Sequence, residues 1–274
     1  MKQKAIYCLL ATATIFSSCK KNIFRKSETH TSTLNNQSYA DSRLTQIITS
    51  KGSITELQYS DDEKLKRTLQ YTLDIKSKNR TLSCIRTFNY DKQGRLVKTV
   101  VENQYDKKNL NIYQYSYSGN QLTNYTLSTM NIQNPKQPIL TLNFSYTYRY
   151  SSGHLSSFSI SNGVGEIVME STYDYKNNGK NTILTGTNKQ PGLPEERFAT
   201  EFFGDISDPS AIFIPGAVKP STLLTRDFAY TSDISGKFIQ QYKTDTKGRV
   251  ISVETTYPYQ VGAKSKTCYI YESI

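Results

Sequence analysis

The sequence is poor in the residues that most often build catalytic centres. It has no tryptophan, and its 274 residues include only two histidines, four cysteines and three methionines. His30 lies in the predicted tether and His154 in a predicted turn, so a histidine-based triad or zinc site has almost nothing to be built from. The GxSxG, HExxH, phosphate-loop and EF-hand patterns are also missing. We therefore expect a non-catalytic protein with no metal and no cofactor.

Long hydrophobic runs are scarce as well, and the longest one, at the N-terminus, is too short for a membrane-spanning helix. Lys2 and Lys4 precede a run of twelve mostly apolar residues, 5–16. Twelve residues are too few to cross about 30 Å of hydrocarbon as a helix. The pattern predicts a signal peptide over residues 1–18 rather than a permanent membrane helix.

The residues at the end of this run point to lipidation. Phe16-Ser17-Ser18-Cys19 resembles the lipobox of bacterial lipoproteins, although Phe16 replaces the commoner leucine. The resemblance implies cleavage before Cys19 and acyl chains on Cys19, which would hold the protein on a membrane. An ordinary signal peptide cleaved near a cysteine is the alternative. The polar residues that follow in 19–42 predict a flexible tether of about 25 Å.

The charge of the chain bears on its partners. Without residues 1–18 there are 32 basic and 23 acidic side chains, a net charge of +9. The basic residues are scattered and form no nucleic-acid recognition motif, so we expect no nucleic-acid partner. A basic cluster beside the lipid suits anionic head groups or cell-wall carboxylates; it comprises Lys20, Lys21, Arg25 and Lys26. Lipoproteins that Bacteroidetes export to the cell surface tend to carry acidic residues just after the lipidated cysteine. This chain carries basic residues there, so comparison with that group favours the periplasmic face of the outer membrane.

From residue 43 onward the sequence has the two-residue period of β-strands. In residues 143–150, Phe144, Tyr146, Tyr148 and Tyr150 alternate with polar residues. Six short polar segments carry turn signals and predict hairpin tips; they are 59–65, 90–96, 117–122, 150–155, 173–180 and 244–250. The sequence predicts one all-β domain over residues 43–274, a long antiparallel meander.

The strand rhythm is interrupted over residues 188–222, which hold five of the eight prolines. Residues 194–203 suggest a short helix, and residues 211–214 form an apolar run. The insertion predicts either a plug that covers the core, with Phe198, Phe202, Phe213 and Ile214, or a binding element.

Several side chains are candidates for specific roles. Tyr146, Tyr148 and Tyr150, with Phe202 and Phe203, could stack on a ligand, or they could form a ladder that faces the core. Cys84 and Cys268 lie in predicted strands, and the sequence leaves open whether they form a disulfide or stay as two thiols.

The hairpin tips carry a second resemblance. Segments 90–96 and 244–250, the connecting segment 219–225, and the closing Tyr269 and Tyr271 resemble the YD-repeat-like outer-membrane lipoproteins of Bacteroidetes. This implies a twisted meander curled into a shell or open barrel on a lipidated tether, with no implied activity. We expect a lipid-anchored envelope protein that acts as a binding or scaffold module for a cell-wall component, an envelope protein or a glycan. A surface glycan-binding lipoprotein that uses exposed tyrosines is the first alternative, and an envelope hydrolase is the second.

Overall fold

The computed structural model describes residues 42–50, 52–74, 77–178, 181–207, 223–230, 237–257 and 263–273. All regular elements in these ranges are β-strands, as the two-residue period predicted. Within them we number sixteen strands: β1 (Ser42–Thr49), β2 (Ser53–Tyr59), β3 (Leu65–Leu73), β4 (Arg80–Tyr90), β5 (Leu96–Asn103), β6 (Asn109–Ser118), β7 (Gln121–Asn131), β8 (Ile139–Ser151), β9 (His154–Asn162), β10 (Ile167–Asn178), β11 (Asn181–Lys189), β12 (Glu196–Ser207), β13 (Leu223–Tyr230), β14 (Lys237–Thr244), β15 (Val250–Thr256) and β16 (Lys264–Ser273).

Each strand pairs antiparallel with its neighbours in the chain, so the predicted meander is confirmed. The last strand also pairs with the first, with Leu44 opposite Tyr271 and Ile47 opposite Tyr269. This pairing closes the sheet into a barrel, where the sequence had predicted a shell or open barrel. Closure satisfies the backbone groups of both edge strands, which would otherwise be exposed pairing surfaces.

The six predicted hairpin tips all join consecutive strands, and they lie at one end of the barrel, together with the ends of β1 and β16 at Ser42 and Ser273. We call this the tip end and the opposite one the far end. At five tips the register shifts by one residue where the second strand begins, as in a β-bulge; the facing residues there are Tyr59 and Leu65, Tyr90 and Leu96, Tyr117 and Leu122, Tyr150 and Leu155, and Thr244 and Val250.

At four of the tips the tyrosine bonds to a neighbouring hairpin, and Tyr271 at the end of β16 does the same. Ladder pairing between β3 and β4 starts only at Arg67, so the Leu65 carbonyl is left without a ladder partner. The Tyr90 hydroxyl donates a hydrogen bond to that carbonyl at 2.9 Å. Equivalent bonds join Tyr59 to Leu44, Tyr117 to Leu96, Tyr150 to Leu122 and Tyr271 to Val250. The tyrosines thus replace missing ladder bonds between successive hairpins.

The aspartate of the repeat organises the turn itself. Asp91 accepts hydrogen bonds from the Gln93 and Arg95 amides, at 2.9 and 2.8 Å, and from Arg95 Nε. Burial opposes ionisation, but these hydrogen bonds and the Arg95 charge outweigh it and hold the pKa of Asp91 below its usual value. Arg95 then lies 5.1 Å from the ring of Tyr117. Gly94, with φ of 79°, supplies the left-handed backbone that the turn requires.

The same arrangement recurs at the tip between β14 and β15. Asp245 accepts from the Lys247 and Arg249 amides and from Arg249 Nε. Arg249 lies 4.8 Å from the ring of Tyr271. The recurring tip is therefore an architectural unit that links one hairpin to the next.

We expect Tyr90→Phe to lower the free energy of unfolding by about 1 kcal/mol, because the Leu65 carbonyl loses its partner while the ring stays in place. Urea unfolding of the full chain would measure this change. Tyr105, on a far-end turn and 72% exposed, provides the matched control as Tyr105→Phe. Equal stability of the two variants would contradict a stabilising role for the Tyr90 bond.

The hydrophobic core lies on the face of the sheet that carries these tyrosines, which is the interior of the barrel. It is concentrated near the tip end between β14 and β5. Its buried members are Leu44, Ile47, Leu57, Leu65, Phe88, Leu96, Val250, Val253 and Tyr269, against which Tyr59, Tyr90, Tyr115, Tyr242 and Tyr271 pack.

The predicted helix over residues 194–203 is wrong, because Glu196–Ser207 is strand β12, paired with β11 and β13. Phe198, Thr200 and Phe202 are buried, while Arg197 and Glu201 on the other face are not, as the two-residue period requires. Phe198 and Phe202 are 8% and 7% exposed and belong to the barrel wall rather than to a plug over it. The Phe203 side chain and residues 208–222, with Phe213 and Ile214, lie outside the described residues.

Candidate binding site

A continuous series of aromatic rings covers the interior between β6 and β12. Tyr115 and Tyr125 have ring centroids 5.7 Å apart, and Tyr125 and Tyr146 stack at 4.0 Å with 13° between their planes. The series continues from Tyr148 to Phe158 at 6.0 Å, then to Tyr173 at 6.0 Å and to Phe198 at 5.9 Å. We call this set the aromatic arc; its members are Tyr113, Tyr115, Tyr125, Tyr146, Tyr148, Phe158, Tyr173 and Phe198.

The arc is only partly covered. Tyr146 is 4% exposed, so it cannot serve as an open stacking platform and belongs to the core-facing ladder that the sequence also allowed. Tyr148 and Tyr150 are half-buried. The Tyr150 hydroxyl is used in the bond to Leu122, and Tyr125 is half-buried like Tyr148. The arc therefore combines half-buried rings with the buried Tyr146 and Phe198.

Burial moves the ionisation of these tyrosines to higher pH. It raises the pKa of Tyr115 to about 12 and raises the pKa of Tyr125 and Tyr148 further still. At neutral pH the tyrosines of the arc are uncharged, as an ordinary tyrosine is, and a neutral hydroxyl can both donate and accept a hydrogen bond.

Toward the far end, the same interior face changes from rings to amides and hydroxyls. Asn131 Nδ2 donates to Asn109 Oδ1 at 3.2 Å, and Asn143 Nδ2 donates to Thr129 Oγ1 at 2.6 Å. The Thr129 hydroxyl in turn lies 3.4 Å from Asn111 Oδ1. We call these residues, with Thr141, the amide band.

Arg86 lies where the arc meets the amide band. It alternates with Phe88 and Tyr90 along β4, so it faces the interior, opposite Thr68 on β3 and Val101 on β5. Val101 in turn pairs with Asn111 of the amide band. The Arg86 charge opposes the burial that raises the pKa of Tyr113 and Tyr115. No carboxylate forms an ion pair with Arg86 among the described residues, whereas Arg80, Arg95 and Arg249 each have one.

The rim at the far end is apolar and exposed. The turns there present Tyr105, Val164 and Leu193, which are 72%, 80% and 60% exposed, and Ile139 at the start of β8 is 68% exposed. This end therefore combines accessible apolar side chains with the polar interior of the amide band.

The two candidate cysteines do not form a disulfide in the structure. Cys84 is on β4 and Cys268 on β16, with β1, β2 and β3 between them, which is about 19 Å at 4.8 Å per strand spacing. Cys84 also faces the interior with Arg86, whereas Cys268 neighbours the inward-facing Tyr269 and lies on the opposite face. Burial raises the pKa of the Cys84 thiol.

Other sequence candidates fall partly outside the site. Cys19 lies outside the described residues. In the part of the chain that the structure describes, no group of three histidine, cysteine or acidic side chains could hold a metal ion. Those same residues include no helix of the length and apolarity needed to cross a membrane.

Sequence reasoning missed Arg86 and the amide band, although both leave a signal. Asn109 and Asn111 continue, two residues at a time, the alternation of Tyr113, Tyr115 and Tyr117. Arg86 interrupts the same alternation before Phe88 and Tyr90. Polar residues on the otherwise aromatic face of these strands are the signal in the sequence.

Comparison with known proteins supports the fold. A porin-like protein from Bacteroides uniformis superposes with a TM-score of 0.54 at 15% identity, covering 85% of this chain and 96% of that one. A porin-like protein from Bacteroides vulgatus gives a TM-score of 0.40 at 12% identity over 83% of this chain and 97% of that one. No family model and no curated protein sequence matches the chain. The chain thus shares an antiparallel all-β fold with the porin-like protein of Bacteroides uniformis.

Proposed function

We propose that this chain is a non-catalytic, lipid-anchored protein of the cell envelope that binds its ligand inside the barrel. The observation that carries the proposal is the aromatic arc, because six of its eight rings are only half-buried and face the interior. A concave surface of accessible rings with a few polar groups has the composition of a ligand site. Such sites are common in the mouths of β-barrels.

The outer face of β10 supports a barrel that stands in water on a tether. On β10, Glu170, Asp174 and Lys176 lie on the outer face and are exposed. Charged side chains on a lipid-facing wall are costly, so this face is suited to water. The lipobox resemblance at Cys19 supplies the membrane attachment, and the likeness to a Bacteroides porin-like fold agrees with an envelope protein.

Metabolic labelling with an alkyne-tagged palmitate in a Bacteroidetes host tests the anchor. We expect label on the wild-type chain and its recovery in the outer-membrane fraction, and Cys19→Ser should lose both. Cys8→Ser is the matched control, because Cys8 leaves with the signal peptide and its loss should leave labelling unchanged. Unlabelled wild-type protein, or membrane-bound Cys19→Ser, would rule out this anchor.

We also propose the periplasmic face, on the basis of the basic cluster after Cys19. Proteinase K added to intact cells should then leave the chain whole, and lysed cells should lose it. Digestion in intact cells would place the barrel on the surface instead.

A further inference from the structure

We infer that the junction of the aromatic arc and the amide band binds a glycan that carries an anionic group, with Arg86 as the anion-binding residue. The inference rests on the proposed function, since it names the ligand class of the same interior site. It commits to acidic sugars such as uronates or sulfated sugars.

The charge of the ligand follows from Arg86. A half-buried guanidinium loses hydration, and this loss is compensated when a carboxylate or sulfate pairs with it. No acidic residue of the described chain fills that role. The planar fork of arginine matches such anions with two parallel hydrogen bonds, so a ligand group can occupy the position.

The sugar character of the ligand follows from the surroundings of Arg86. Half-buried tyrosine rings offer flat apolar surfaces to the C–H faces of a pyranose. The amide band offers neutral donors and acceptors in dense array, as hydroxyl-rich ligands require. Cross-strand pairing connects Arg86 through Val101 to Asn111, Thr129 and Thr141 on successive strands. A ligand that stacks, accepts and donates hydrogen bonds and also carries a charge is an acidic saccharide.

The far end is the access route. The core cluster and the tyrosine bonds lie toward the tip end, whereas Thr141 of the amide band is exposed. A chain-like saccharide entering from the far end would first meet the amide band, then Arg86, and then the rings.

Isothermal titration calorimetry of the full chain in detergent tests the inference with three hexasaccharides: a uronate, a sulfated one and a neutral glucan. We expect the acidic probes to bind at least tenfold more tightly than the glucan, and the stronger acidic probe identifies the source of the charge. Arg86→Gln should weaken acidic binding by about 10- to 100-fold, the effect of losing a charged hydrogen-bond partner. Arg149→Gln, on the outer face of β8, should leave it unchanged.

Other results would overturn the inference. Equal binding of the glucan with no effect of Arg86→Gln would exclude an anionic ligand, while loss of that binding in Tyr148→Ala would keep the interior site. If none of the three probes bound, the ligand would not be a saccharide of these classes. The lipid anchor would be unaffected by that result, because palmitate labelling at Cys19 tests it separately. Arg86→Lys guards against misfolding: with an unchanged circular dichroism spectrum, it should retain part of the affinity.

Discussion

Replacing Gly186 with alanine should lower the free energy of unfolding by about 3 kcal/mol, the upper range for an overpacked interior site. Gly186 on β11 pairs with Tyr173 on β10 and Phe198 on β12. A methyl carbon at Gly186 would overlap the Thr172 carbonyl oxygen and lie 2.6 Å from Phe198 Cζ. The Thr172 carbonyl is backbone, so the strand itself would have to move. Urea unfolding followed by circular dichroism would measure the loss.

A double variant separates the two clashes. Phe198→Leu removes the ring tip, so Gly186→Ala should be less destabilising in that background than in the wild type. Part of the loss should persist, because the Thr172 oxygen remains. Thr185→Ala, on the opposite face of the same strand, is the matched control and should cost less than about 1 kcal/mol. If Gly186→Ala were no more destabilising than this control, β11 could not pack as closely as described.

The fold was largely predictable because its determinants are local. Tight polar turns and a two-residue period specify which strands pair when every connection is a hairpin. Closure between β1 and β16 was not predictable, since it depends on the curvature accumulated over sixteen strands rather than on any local residue. The helix predicted over residues 194–203 was wrong. Glu195 and Glu196 favour helices, but the alternation of Phe198, Thr200 and Phe202 is the pattern of the strand that forms.

The site was less predictable than the fold. The tyrosine ladder could be identified from the sequence, but its burial depends on which face becomes the interior. Arg86 and the amide band belong to different hairpins. They come together only through the register in which β4, β5 and β6 pair, which the sequence does not reveal. Whether Cys84 and Cys268 can form a disulfide depends on the order of their strands in the sheet and on the face that each side chain occupies. Neither follows from their spacing in the chain.

The barrel should unfold steeply between pH 10 and 12. Burial raises the pKa of Tyr59, Tyr115, Tyr117 and Tyr175 to about 12, against about 10 in an unfolded chain. Below pH 10 both states keep these protons, and the stabilisation is fully present. Between pH 10 and 12 the unfolded state releases protons that the folded state retains, so the free energy of unfolding falls as pH rises.

An alkaline titration tests this, with tyrosinate absorbance at 295 nm and far-ultraviolet circular dichroism recorded on one sample. The buried tyrosines should ionise late and in a single step, together with loss of the strand signal. The same titration in guanidinium chloride should give a gradual rise centred near pH 10. Tyr115→Phe removes one of the shifted groups while keeping its ring, and it should move the unfolding midpoint to higher pH. Gradual ionisation of the wild type near pH 10 with the strand signal intact would mean that burial does not raise the pKa of these four tyrosines, and the predicted alkaline unfolding would then be wrong.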